Sequence, residues 1–166
     1  MRQVVLIGAP GSGKTSVGKA LAKSLGCTFM DSDHLVQANS GLKISEIFIE
    51  HGEDIFRDLE FKTLNSALAV PSSVLALGGG APISERAQSA LLASGAWIVF
   101  LDVSLAVAAP RVGFNRDRPL LLGNPRAQWQ ALYEVRRPIY EKLASVIVKV
   151  DNLRVSEVVT AITEAM

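Results

Sequence analysis

The residues Gly8-Ala9-Pro10-Gly11-Ser12-Gly13-Lys14-Thr15 match the pattern G-x-x-x-x-G-K-[ST] in full. The residue types say what such a loop can do. Glycines let successive backbone N–H groups turn inward around an anion. A helix that starts directly after the loop adds the positive end of its dipole. Lys14 can reach β- and γ-phosphates, and the Thr15 hydroxyl can serve Mg²⁺. Gly11, Ser12, Gly13, Lys14, Thr15 and Ser16 are therefore the expected contacts to a nucleoside triphosphate. A tight strand-to-helix turn would explain the glycines, but not the lysine and threonine.

A second group of reactive residues is Asp31-Ser32-Asp33, placed at the end of a short strand. Side chains two apart on a strand share a face, so both carboxylates are expected to look into the cleft beside the phosphates. One can hold Mg²⁺, directly or through water, and the other can accept the proton of an attacking hydroxyl. The competing reading of Asp33 is a helix N-cap. Gly78-Gly79-Gly80 follows another apolar strand. A glycine run costs entropy, which makes sense where backbone approaches a ligand closely and offers N–H groups. Arg111, Arg116, Arg118 and Arg126 gather around one stretch of chain. An arginine on a loop over a phosphate site can neutralise charge during transfer, and closure of the loop excludes water. Arg57, taken alone, reads as a solvated helix charge within reach of Glu60. Of Arg136 and Arg137, one can point into the cleft and the other reads as surface.

These groups need elements to hold them. Val4–Ile7 is a continuous apolar run, the pattern of a strand buried on both faces. Gly13–Leu25 has helical apolar spacing and stops at Gly26. Thr28–Met30, Val74–Leu77, Ala96–Leu101 and Val146–Val150 read as further strands. Helices are expected over His34–Asn39, Ile44–His51, Glu53–Ala69, Ser84–Ser94, Arg126–Leu143 and Val155–Ala165. A helix opened by Ser104 is expected to break near Pro110, and Pro138 to kink or restart its helix. Phe114–Pro125 has little periodicity and reads as a mobile loop. Strands alternating with helices make an α/β protein with a parallel sheet covered on both faces. The glycine-rich loop, the aspartates and the glycine run all fall at strand C-terminal ends, where such sheets bind ligands.

A length of 166 residues suits one domain, and 49% hydrophobic with 20% charged residues suits a soluble globule. A net charge of +1 argues against a dedicated nucleic-acid binder. Cys27 is the sole cysteine, so neither a disulfide framework nor a cysteine zinc site is expected. The absence of a signal-peptide pattern and of a bilayer-length apolar run points to the cytoplasm, with no membrane partner.

Taken in order, Gly8–Thr15, Asp31-Ser32-Asp33, Phe56-Arg57-Asp58-Leu59-Glu60, Leu77-Gly78-Gly79-Gly80-Ala81, Arg118-Pro119-Leu120-Leu121 and Arg136-Arg137-Pro138-Ile139-Tyr140 resemble the shikimate kinase family of P-loop kinases. The resemblance covers nearly the whole chain and implies one domain over residues 1–166. That domain would be a three-layer P-loop NTPase fold with a five-stranded parallel sheet in the order 2-3-1-4-5. It implies a substrate-binding helical segment at about 32–60 and a lid at about 112–125. The implied reaction is ATP-dependent phosphorylation of the 3-hydroxyl of shikimate, in aromatic amino acid biosynthesis, by a cytoplasmic monomer. On the family's pattern Asp33 binds substrate hydroxyls and accepts the proton, and Arg57 and Arg136 hold the carboxylate. Gly80 makes a backbone contact, with Gly78 and Gly79 shaping that wall. Lys14 and lid Arg118 meet the transferring phosphate, Thr15 and Asp31 serve Mg²⁺, and Arg111 lies against adenine. Arg111-Val112-Gly113 departs slightly from the family's usual R-T-G, and follows Pro110. Rival readings are a gluconate or nucleoside monophosphate kinase, or a nucleotide-dependent switch. The switch reading lacks an N-K-x-D segment and leaves the substrate-side arginines without purpose.

Overall fold

The structure, a computed structural model, describes residues 1–113 and 124–166. Its elements follow one another as β1 (Val4–Ile7), α1 (Lys14–Leu25), β2 (Thr28–Asp31), α2 (Ser32–Ser40), α3 (Ile44–Leu68), β3 (Ser73–Ala76), α4 (Glu85–Ala93), β4 (Trp97–Asp102), α5 (Leu105–Arg111), α6 (Pro125–Leu143), β5 (Val146–Lys149) and α7 (Val155–Ala165). The sheet is parallel in the order β2-β3-β1-β4-β5, as the family resemblance implies. β1 sits at its centre, and all four of its residues are fully buried. That is why its sequence is continuously apolar rather than alternating. Each of its neighbours also ends in the same layer, so the loops after β1, β2, β3 and β4 leave the sheet along one edge.

The main core packs the sheet against helices on both faces. Leu21 and Val17 of α1 and Ile162 and Val158 of α7 belong to it, as do Leu91 of α4 and Tyr140 of α6. Gly18 of α1 faces the ring of Phe29 on β2, and a methyl group there would overlap that ring. The helix can thus lie close to the edge strand that carries Asp31. A second, smaller core forms from Val36, Ile47 and Phe56, flanked by Leu42, Ile44, Phe48 and Leu59. It joins α2 to α3 and lies apart from the main core, so the segment after β2 has apolar packing of its own.

α3 bends at Gly52, with φ 83° and ψ 172°, and so consists of the two helical stretches expected on either side of that glycine. Of the two proline expectations one holds, since α5 ends one residue past Pro110, and one needs correcting, since α6 does not restart at Pro138. In both cases the carbonyl that loses its N–H partner, on Ala106 or Glu134, belongs to an exposed residue. Water can serve it there, which lowers the usual cost of proline in a helix. α6 also starts at Pro125 with Asn124 as its side-chain cap, which trims the expected lid at that end. Arg116, Arg118 and most of the lid lie outside the described residues.

Candidate active site

The loop between β1 and α1 holds its shape through three left-handed or unusual glycines, Gly8 (φ 148°), Gly11 (φ 87°) and Gly13 (φ 89°). At Gly8 the constraint is also spatial, since an added methyl group would sit 2.6 Å from the Leu101 carbonyl oxygen. Lys14 folds over the loop, and its Nζ donates to the carbonyls of Gly8 (2.8 Å) and Ala9 (3.0 Å) and to Ser12 Oγ (3.3 Å). Burial pulls its pKa down to about 8, against the opposing pull of Asp33 and Asp31. Arg111, from the end of α5, donates through Nη1 to the Gly11 carbonyl at 3.1 Å. Pro110 therefore does not detach it from the loop.

The two aspartates divide their work differently from the strand-face expectation. β2 ends at Asp31, and Asp33 already lies in the first turn of α2. Asp31, not Asp33, is the N-cap: its Oδ1 accepts the N–H groups of Asp33 (3.1 Å) and His34 (3.4 Å). Its Oδ2 accepts the Thr15 hydroxyl at 2.8 Å. Asp33 is left with its carboxylate over Gly78. Burial raises its pKa, the Asp31 charge adds to this, and Lys14 and Arg57 oppose it. A cleft of ≈ 430 Å³ collects Lys14, Thr15, Ser16, Asp31, Asp33, Gly78, Gly79 and Arg111 along one edge of the sheet.

The glycine run has a different cause from the one its sequence suggests. None of Gly78, Gly79 and Gly80 needs positive φ. The Gly78 N–H is already used, donating to Ser32 Oγ at 2.9 Å. The requirement is room for side chains. A methyl group on Gly78 would lie 2.5 Å from Asp33 Oδ1, and one on Gly80 would lie 2.5 Å from Arg57 Nη1. A methyl on Gly79 would meet Arg136 Nη1 at 3.4 Å and Pro10 Cδ at 3.2 Å. Gly78 and Gly80 thus each leave room for a charged side chain, and Arg136 stands at ordinary contact distance from Gly79, so a carboxylate and two guanidiniums stand along bare backbone. Arg57 is steadied by Glu60, whose Oε2 accepts from Nη1 at 2.8 Å. Glu60 is almost fully buried, which raises its pKa against the pull of Arg57. The helix charge read from sequence as solvated is therefore half-buried and paired.

α6 supplies what the sequence reading missed. Trp129 donates its indole N–H to the Pro10 carbonyl at 3.0 Å, which ties α6 to the phosphate loop. Tyr140 OH donates to the Gly79 carbonyl at 2.6 Å. Arg137, expected at the surface, pairs through Nη2 with Asp102 Oδ2 at 3.0 Å. The placement of Asp102 at a strand end, like that of Asp31, was the available signal; Trp129 carried none beyond its size.

The model of the family described as shikimate kinase matches residues 10–166. The chain belongs to the shikimate kinase family. Membership carries the family's reaction, ATP-dependent phosphorylation of shikimate. The shikimate kinase of Thermobifida fusca is 49% identical over 144 residues, 87% of this chain and 83% of that protein. A solved structure of shikimate kinase from Acinetobacter baumannii in complex with shikimate has a TM-score of 0.92 at 31% identity, covering 99% of this chain and 92% of that one. A gluconokinase from Sinorhizobium meliloti has a TM-score of 0.67 at 22% identity, covering 99% of this chain and 90% of that one, and so shares the fold alone. Among the described residues no helix is long and apolar enough to cross a membrane.

Proposed function

We propose that shikimate binds along the Gly78–Gly80 wall with its carboxylate on Arg57 and Arg136 and its 3-hydroxyl at Asp33. The single observation that supports this most is the row itself: one carboxylate and two guanidiniums along Gly78–Gly80, with Asp33 and Arg57 filling the space a side chain would take. Guanidiniums suit a carboxylate because their planar fork donates to both oxygens. Bare backbone leaves space for a compact ring between them. The hydroxyl oxygen attacks the γ-phosphorus, a P–O bond forms, and the bond to the ADP leaving oxygen breaks. The hydroxyl proton passes to Asp33, whose pKa, raised by burial, makes it a better acceptor than a free carboxylate.

Lys14, freed from its own loop carbonyls, neutralises charge on the β- and γ-phosphates, with Gly11, Ser12, Gly13 and Ser16 supplying loop contacts. Arg118, outside the described residues, takes the lid role, and Arg111 lies beside the adenine. Thr15 and Asp31 carry oxygens 2.8 Å apart next to Lys14, and no cluster of three acidic, histidine or cysteine ligands occurs among the described residues. Such a sparse oxygen set fits Mg²⁺, which takes one or two protein oxygens and completes its shell with phosphates and water. Thr15 and Asp31 would hold the ion, which would help to stabilise negative charge on the phosphates. On this reading residues 1–166 act as one domain, monomeric and cytoplasmic, free of nucleic acid; sedimentation at assay concentration checks the monomer.

Asp33→Asn is expected to lower kcat by about 10²–10⁴ with shikimate. Turnover within tenfold of wild type would remove Asp33 as the base. Assays with gluconate and nucleoside monophosphates accompany it, and turnover of either without turnover of shikimate would overturn the substrate.

A further inference from the structure

Arg136 and Arg137 are adjacent on α6, yet their side chains reach different partners. The buried stripe of this helix runs through Trp129, Tyr133, Tyr140 and Leu143. At 100° per residue, position 136 falls within that stripe and position 137 on its flank. Arg136 goes toward Gly79, and Arg137 goes toward Asp102 at the end of β4. Asp102 is nearly buried and holds two partners at once: the Tyr133 hydroxyl on Oδ1 and Arg137 Nη2 on Oδ2 at 3.0 Å. Arg137 also stands 5.8 Å from the Tyr133 ring centroid. Its Nε donates to Glu141 Oε1 at 2.9 Å. Pro138 lies between these last two residues and removes the backbone N–H that would have bonded the Glu134 carbonyl. The turn that carries both arginines therefore lacks a ladder bond, and Arg137 spans it on the outside while pairing with Asp102 at the sheet end.

We propose that Arg137, through its pair with Asp102 and Tyr133, is a positioning residue that fixes the rotation of α6 and so aims Arg136 at the substrate carboxylate. Arg137 does not touch the substrate side, because its guanidinium faces the β4 end and solvent, away from the glycine wall. Its effect on the reaction passes through Arg136. The inference rests on the reading of Arg136 as a carboxylate ligand. A rotation of α6 displaces the tip of an arginine far more than it displaces Trp129 or Tyr140, which their own hydrogen bonds to Pro10 and Gly79 hold. Shikimate binding is therefore the quantity that suffers, and ATP binding is spared.

The test is a double-mutant cycle of Arg136→Ala and Arg137→Ala, with Arg137→Lys as the conservative variant, reading KM for shikimate, KM for ATP, kcat and Tm. Arg137→Ala is expected to raise KM for shikimate about fivefold, ~1 kcal/mol at 1.4 kcal/mol per factor of ten, with KM for ATP within twofold of wild type. Arg137→Lys, which keeps the charge on Asp102, is expected to recover part of that. In the Arg136→Ala background the Arg137→Ala effect disappears, the signature of a residue acting through its neighbour. A fall in Tm with KM for shikimate unchanged, or a fivefold effect that persists without Arg136, would overturn the proposal. If Arg136→Ala alone leaves KM for shikimate unchanged, the carboxylate reading falls first and this inference with it. If Arg136→Ala raises it and Arg137→Ala does not, only the inference falls.

Discussion

Lys14 spends its three donors on its own loop, and that internal bonding coexists with a pKa lowered to about 8. Phosphate beside it favours the charged form, so bound nucleotide returns the pKa toward the ordinary 10.5. The sign follows: above pH 8 the free protein loses this proton while the complex keeps it. ATP binding should therefore take up a proton, and Kd should weaken by up to about tenfold per pH unit above 8. Calorimetry in buffers of different ionisation enthalpy at pH 8.5 reads the uptake, and its absence would place Lys14 outside the phosphate contact. Asp33 works in the other sense. Burial raises its pKa, so the folded protein binds this proton more tightly than the unfolded chain does. Its ionised form costs stability as pH rises from the unfolded value, ~3.9, through the raised one, and the cost is constant above. Asp33→Asn should thus raise Tm at neutral pH while removing turnover, by about 2–4 °C for each kcal/mol relieved at this chain length. A lower Tm in the ligand-free variant would mean the carboxylate is satisfied rather than stranded.

The glycine run shows where sequence reading stops. Its position at a strand end was legible, because a buried strand followed by three glycines departs from any ordinary strand exit. Its cause was not legible: the atoms that need the space come from Asp33 on α2, Arg57 on α3 and Arg136 on α6, and only packing brings them there. The same holds for the aspartates, since a strand-to-helix switch between residues 31 and 32 exchanged capping for reactivity. The restart at Pro138 was misread because the effect of a proline depends on whether the orphaned carbonyl faces water. The helix stop at Gly26 and the break at Gly52 were legible because local backbone chemistry decides them. The wall itself makes a split prediction. Gly80→Ala pushes on the Arg57 guanidinium and should raise KM for shikimate, by roughly 10-fold or more for a misplaced ligand group, with a smaller change in kcat. Gly78→Ala pushes on Asp33 and should lower kcat instead. Steady-state kinetics on the pair check this, and equal effects of both variants on both constants would deny the division of the wall.

Across the whole molecule, α6 touches each part of the candidate site: Trp129 reaches the phosphate loop, Arg136 the Gly79 stretch, Tyr140 the glycine wall and Arg137 the end of β4. The chain holds two tryptophans, and only Trp129 contacts the nucleotide loop. A Trp97→Phe protein should keep an ATP-dependent change in emission, whereas Trp129→Phe should lose it; a signal carried by Trp97 would mean that nucleotide does not reach α6 through the Trp129 bond to the phosphate loop. The wall opposite has a consequence for resistance to inhibitors. Resistance arises when a residue lining the site changes size and still lets the enzyme work. Gly78, Gly79 and Gly80 have no side chain to shrink, and a side chain gained at Gly78 or Gly80 enters space held by Asp33 or Arg57. An inhibitor that rests on this stretch of main chain gives its target no substitution at Gly78 or Gly80 that repels the drug and spares the machinery.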